Sequence, residues 1–256
     1  DKAAPIKEIT SPLPVLGGGQ ISFTRPFSGL VPTDDGNFLW LSDNTNNRVI
    51  RVRNPLTSPV VDVVLGQTDL NGTACDSVSS GLCRPGSLSL DRFGNLYVSD
   101  HSLEVQGNFR LLVFNKDLFP TNNAAVIYAP SASKIFPNVA TWEPAFDSTN
   151  RMVVGYNFYY RGVSFVPFFP GIYNDPLGAS TAPDNFLKDY HSMAFSATFD
   201  EFDNLYVGSL NRSRVLIYKN PFNNSIPTST PAPTPIPTPT TVPSATPVAI
   251  TQPVSS

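Results

Sequence analysis

The chain has 256 residues, 17 basic and 20 acidic side chains and a net charge of −3, which excludes a strongly basic nucleic-acid surface. Charged residues make up only 14% while Pro (26), Gly (16) and Phe (18) are plentiful, so strands and turns are favoured over charge-laced helices. No apolar run reaches the ~18 residues that cross a bilayer, so no membrane insertion is expected. The start, Asp1-Lys2-Ala3-Ala4-Pro5, lacks the apolar stretch of a signal peptide, and any such signal is expected upstream or already removed.

Taken in chain order, the sequence repeats itself. Four segments align: Asn37-Phe-Leu-Trp-Leu-Ser-Asp43, Asn95-Leu-Tyr-Val-Ser-Asp100, Arg151-Met-Val-Val-Gly-Tyr156 and Asn204-Leu-Tyr-Val-Gly-Ser209. Their last residues recur at a period of about 55 positions, which is the range of stacked supersecondary units. A second apolar run follows each, opened by Arg48, Arg110, Arg161 or Arg214. A run precedes each, such as Ser87-Leu-Ser-Leu90 or Ala194 to Phe199, and a fourth follows, as in Val60 to Leu65 or Ala124 to Tyr128. Four short β-branched or alternating runs bounded by Gly, Asn, Asp and Pro make an antiparallel meander. A meander alone leaves one face bare, and radial packing of several buries it, so an all-β propeller of four-stranded blades is predicted for residues 1–222, with about four blade equivalents. The only helical turn expected lies within Asp184 to Tyr190. The fourth unit stops after three strands at Tyr218. Pro14-Val-Leu-Gly17 resembles Val63-Val-Leu-Gly66, so the N-terminal strand is expected to pair with the strand at Arg214 to Tyr218 and close a small ring. The rival reading is a piece of a larger ring.

From Asn223 to Ser256 there is no charged or aromatic residue, and nine prolines lie between Pro227 and Pro253. Proline fixes φ and removes a donor, so 223–256 is expected to be an extended Pro/Thr-rich linker or tail that tethers the domain to a surface or another domain.

The pattern Asp91-x-x-Gly94-Asn95-Leu-Tyr-Val-Ser-Asp100, with Asp43-Asn-Thr-Asn-Asn-Arg48-Val and Leu65-Gly66-Gln67, resembles the NHL-repeat family of β-propellers over roughly residues 14 to 222. The third unit departs from it, with Tyr156 in place of Asp and Arg151 in place of Asn. The Leu-Gly-Gln strand followed by a Cys-containing loop is similar to that of secreted bacterial members. Within the motif, Gly36 and Gly94 suit turns of unusual φ, and the Asp and Arg residues read as blade-building groups. Calcium at Asp43 or Asp100, or another channel metal, is the cofactor alternative to none. Cys75 and Cys83, in a polar connection, read as a disulfide formed in an oxidising compartment. Zinc suits the spacing poorly. Asn71-Gly-Thr73, Asn211-Arg-Ser213 and Asn223-Asn-Ser225 have the form of glycosylation acceptors.

Function is expected to lie in recognition: an extracellular or cell-surface scaffold for a protein or carbohydrate ligand, with no nucleic-acid partner. No Gly-x-Ser-x-Gly, Walker-type Gly-Lys-Ser or His-Glu-x-x-His pattern occurs, and no catalytic residue is assigned. The resemblance implies, as the alternative, a lyase or hydrolase with a metal in the central channel. His101 and His191 read as polar loop residues. Ligand-binding candidates follow from strand alternation. First strands line the channel, and counting back four residues from the Asp that ends each gives Ser87, Glu143 and Ser196; counting back two gives Ser89, Ala145 and Thr198. Arg84, Trp142, Tyr190 and His191 stand near the entries to these strands, and Tyr159 and Tyr160 offer rings in a turn. Phe165 and Phe169 are expected in the core. Glu143 leads this set, as a lone carboxylate beside a narrow channel.

Overall fold

A computed structural model describes residues 5, 7–23, 28–100, 109–137, 139, 143–156, 169–187, 194–209 and 214–222, and contacts divide the chain into units at Asp1–Phe222 and Asn223–Ser256. The linker reading falls outside the described residues. So do Tyr159, Tyr160, Phe165, His101 and His191.

The first unit is a β-propeller of small antiparallel sheets. A hairpin of β1 (Leu13–Pro14) and β2 (Gln20–Ile21) comes first. Blade 1 holds β3 (Leu30–Pro32), β4 (Phe38–Asp43), β5 (Arg48–Arg53) and β6 (Val60–Leu65), paired in sequence order. Blade 2 holds β7 (Pro85–Leu90), β8 (Leu96–Asp100) and β9 (Arg110–Phe114); β10 (Ile127–Tyr128) leaves it, and β11 (Lys134–Pro137) completes it. Blade 3 is β12 (Ala145–Phe146), β13 (Met152–Tyr156), β14 (Phe169–Tyr173) and β15 (Asn185–Phe186). Blade 4 is β16 (Ala194–Phe199), β17 (Leu205–Ser209) and β18 (Arg214–Tyr218). Among the described residues the only helical pieces are two short 3₁₀ turns, Asn44–Asn46 and Lys116–Leu118.

One turn starts every blade. In blades 2, 3 and 4 the backbone N–H of Gly94, Asn150 and Asp203 donates to the carbonyl of Asp91, Asp147 and Asp200; in blade 1 Gly36 donates to Thr33. All four donors have left-handed φ, from 59° to 84°, so the site favours Gly, Asn or Asp. The Asp91 carboxylate then accepts from Phe93 N, Asn95 N and Asn95 Nδ2. Asp200 repeats this with Asn204 and adds Tyr206 Oη. Arg151, the departure in the third unit, does the work of the Asn: its Nε reaches Asp147 Oδ2 at 2.6 Å, and its guanidinium lies 4.3 Å from the Phe222 ring centroid.

A second device joins strand ends to loops. Arg48 Nε bonds Asp43 Oδ2 at 2.8 Å and Arg110 Nε bonds Asp100 Oδ2 at 2.9 Å, all four residues buried. Arg110 spends its remaining donors on carbonyls of the 76–81 loop, while Asp100 Oδ1 accepts from Cys83 N at 2.7 Å. These contacts hold a loop closed by the Cys75–Cys83 disulfide. Buried charges need such full pairing, because an unpaired one is costly.

The core lies between blades. Trp40, Val49 and Val63 of blade 1 meet Leu88, Val98 and Phe114 of blade 2; Tyr97, Leu111 and Val113 meet Met152, Val154 and Tyr173 of blade 3; Val153 and Ile172 meet Leu205 and Val207 of blade 4. Alternation within each strand supplies both faces.

Four expectations are corrected. The N-terminal strand does not join blade 4: β1 pairs with β2, and Val15 forms a parallel bridge with Val61 of β6, so closure of the ring by this strand does not occur. Likeness to Val63-Val-Leu-Gly66 marked a strand type and said nothing of its neighbour. The fourth strand of blade 2 is β11 and not the run at Ala124 to Tyr128, whose last two residues lie parallel to β6 instead. The strand paired with β13 is β14, beyond the Arg161 run. Asn185 and Phe186 are extended, because they pair with β14 as β15, where a helical turn was expected.

Candidate functional site

The first strands β3, β7, β12 and β16 face a shared cavity of about 960 Å³, reached by Thr33, Ser89, Ala145 and Thr198, one from each blade. Ser89, Ala145 and Thr198 stand at the same register, two residues ahead of the turn, where blade 1 has Val31; Thr33 instead opens the blade 1 turn. Ser89 Oγ donates to the Pro144 carbonyl at 2.9 Å and ties blade 2 to blade 3 at this wall. On the blade 1 side, an added Cβ at Gly29 would lie 2.5 Å from the Gly86 carbonyl oxygen, so first strands of blades 1 and 2 approach at backbone contact.

Glu143 is exposed in the cavity wall, as are Asp34, Asp35 and Asp117. Loss of solvation raises the pKa of Glu143, opposed by the neighbouring Ser89 hydroxyl. Arg51 also borders the space, but its donors are committed: to Asp62 Oδ1 and Oδ2 at 2.9 Å each, and to the Phe119 and Pro120 carbonyls at 3.0 Å each. Its guanidinium stands 4.3 Å from the Phe38 ring centroid and within reach of Trp40 and Phe119. It is a structural element of the wall. At the rim, the Asp35 carboxyl is held below its ordinary pKa, first by the Thr33 hydroxyl and then by Asn37. Asp200 is lowered chiefly by the Asn204 side chain, and Asp203 chiefly by the Ser148 hydroxyl.

The candidates from the sequence separate by place. Glu143, Ser89, Ala145 and Thr198 border the cavity. Ser196 is exposed in β16, next to a register shift, and does not border it. Arg84 precedes β7 at the end away from the Asp91 turn, in left-handed φ of 55°, with its N–H bonded to Asn47 Oδ1. Trp142, Tyr159, Tyr160, Tyr190 and His191 lie outside the described residues. Asp43 and Asp100, the calcium alternative, take donors from Asn46, Arg48, Cys83 and Arg110. Among the described residues no three His, Cys, Asp or Glu side chains group as a metal site.

Sequence reasoning missed the rim. Arg92 and Phe93, in the middle of the Asp91 turn, and Lys116 with Asp117 border the same cavity. A signal existed: within the fixed turn, the two middle positions change from blade to blade, as Asp34-Asp35, Arg92-Phe93, Ser148-Thr149 and Glu201-Phe202. Positions free to vary on a rigid turn are where recognition is placed.

Neither a protein-family model nor a curated protein matches the sequence. Solved structures do. Hydrazine synthase of Kuenenia stuttgartiensis aligns with a TM-score of 0.50 at 12% identity, over 78% of this chain and 54% of that one. A nidogen/laminin complex aligns at 0.45 and 15%, over 80% and 65%, and virginiamycin B lyase from Staphylococcus aureus at 0.41 and 12%, over 82% and 63%. The chain thus spans less than two thirds of each of these structures. Identity this low bears on fold alone.

Proposed function

We propose that this chain is an NHL-type propeller serving as an extracellular binding scaffold, with the ligand held in the cavity between first strands and Glu143 as its polar anchor. The observation that carries the reading is the cavity itself: about 960 Å³, walled by small hydroxyl side chains, aromatic rings and the Glu143 carboxylate, with Asp34, Asp35 and Asp117 at its border. The ligand is a protein segment or a carbohydrate. The disulfide supports an oxidising habitat, and 223–256 supplies the tether. Glycan arrays and peptide libraries on the purified protein test it. Glu143→Gln is expected to weaken any ligand found by about tenfold, the worth of one desolvated charged hydrogen bond. If Glu143→Gln and His191→Ala both leave affinity unchanged, the cavity reading fails and the Tyr159 and Tyr160 segment becomes the site. Stoichiometric metal in the purified protein would favour the lyase or hydrolase alternative instead.

A further inference from the structure

Because neighbouring strands run antiparallel, the turns between first and second strands and those between third and fourth strands emerge at the same end of every blade. Bonds between blades confirm it: Arg92 N donates to Asn150 Oδ1 at 2.9 Å, Ser148 Oγ to Asp203 Oδ2 at 2.6 Å, and Lys134 Nζ to the Pro176 carbonyl at 2.9 Å. The cavity is bordered at this end by the Asp34, Arg92 and Lys116 segments.

Each blade presents one large apolar side chain to solvent here: Leu56 (59% exposed) in blade 1, Phe93 (57%) in blade 2, Leu177 (42%) in blade 3 and Phe202 (71%) in blade 4. Phe93 and Phe202 occupy the same turn position. The turn does not need a phenyl group, since Asp35 and Thr149 stand there in blades 1 and 3. Leu56 and Leu177 lie in connections between third and fourth strands. Single exposed apolar residues are ordinary, whereas four presented at one end, with Phe93 bordering the cavity, are of the kind that marks an interaction surface.

The charge of this end identifies what fits it. Asp34, Asp117, Asp175 and Glu201 are exposed there, with Glu143 in the cavity. Arg92, Lys116 and Lys219 answer them in part, and Arg92 Nε is already bonded to the Asp147 carbonyl. The excess is acidic, which repels an anionic lipid surface and attracts cations. We propose that this end docks a protein segment carrying basic side chains among apolar ones, with the apolar groups seated on Phe93 and Phe202 and a basic group directed to Glu143. The inference rests on the scaffold reading and names the chemistry of its partner.

A phage-displayed library of random 12-residue peptides, selected against the whole chain, is the test. Enriched peptides are expected to place Lys or Arg beside Leu, Ile, Phe or Trp, and to bind less tightly as salt rises. Replacing both rings, Phe93→Ser with Phe202→Ser, is expected to weaken them by about tenfold or more at an unchanged urea midpoint. Val215→Ser with Ile217→Ser, exposed elsewhere, is expected to leave them unaffected. Enrichment of acidic or uncharged peptides, equal binding to both double variants, or no enrichment at all would overturn the proposal. If no peptide binds while a glycan binds in a Glu143-dependent way, the partner's chemistry is wrong and the scaffold reading stands; if neither binds, both fall.

Discussion

In blade 1 the sheet face turned away from blade 2 carries Leu41, Ile50, Val52 and Val64, all covered by Leu13, Val15 and Ile21 of the N-terminal hairpin. In blade 4 the face turned away from blade 3 shows Val215 and Ile217 to solvent, 62% and 64% exposed. The two blades share the same turn and strand order. They differ in what lies outside them. Blade 1 also has its fourth strand, from which Asp62 clamps Arg51 and Arg53. In blade 4, Ser209 stands where Asp43 and Asp100 stand in blades 1 and 2, and Arg214 is exposed. In a stack of meanders each unit is stabilised by its neighbours, so a terminal unit is as stable as the cover it is given.

The comparison is broken most directly at Asp62. Asp62→Ala leaves two guanidinium groups without their carboxylate, one of them buried, and is expected to cost about 3 to 5 kcal/mol, read as a lower urea midpoint. A loss below about 1 kcal/mol would show that blade 1 owes little to this clamp. Next, Ile21→Ala, which opens a hole under a side chain only 1% exposed, is expected to cost about 2 to 4 kcal/mol, whereas Ile217→Ala at the open face stays within about 0.5 kcal/mol. Equal costs at the two sites would mean that something covers blade 4 in solution. Third, Cys75→Ser with Cys83→Ser is expected to cost about 2.6 kcal/mol in the chain-entropy model for so short a loop, with the Arg110 contacts keeping the loop in place. Two free thiols by mass under non-reducing conditions in the parent protein would remove the basis of this prediction.

The repeat was legible because every blade uses the same turn and the same alternation, and the disulfide because two cysteines share one polar loop. Register and partner choice were less so. Val126, Ile127 and Tyr128 read as a blade strand from composition, yet the strand that completes blade 2, Lys134–Pro137, has a lysine and a proline at its ends. Likewise β14 contains Pro170 and Gly171, residues that weaken a strand reading, and pairing to β13 overrides them. At the site, counting back two residues from the turn Asp gave Ser89, Ala145 and Thr198, which border the cavity, because first-strand alternation is fixed by the turn; counting back four gave Glu143, which borders it, and Ser87 and Ser196, which do not. Arg92, Phe93 and Lys116 come from turns and connections whose convergence is a property of the folded blades.

The last effect expected is in pH dependence, and its sign differs between the buried end of β8 and the exposed blade 4 turn. Asp100 has its pKa raised to about 6, burial outweighing the Cys83 N–H and Arg110. A raised carboxyl pKa means that the folded state holds the proton more tightly than the unfolded chain. Its contribution is therefore complete below the ordinary carboxyl value and is lost as pH rises through about 6. Asp200 and Asp203 are lowered, by Asn204 and Ser148 respectively. Their contribution is present above the ordinary value and is lost as pH falls through their folded values. Both are open to solvent, so screening keeps their share small. Carboxyl NMR titration of the folded protein is expected to place Asp100 highest and Asp200 and Asp203 below the usual Asp range. Urea midpoints are expected to lose an acid-side slope below about pH 4 in Asp200→Asn and a falling slope between about pH 4 and 6 in Asp100→Asn. A titration placing Asp100 at or below Asp200 would show that the Arg110 pair outweighs burial, and that interior and open carboxylates share one sign.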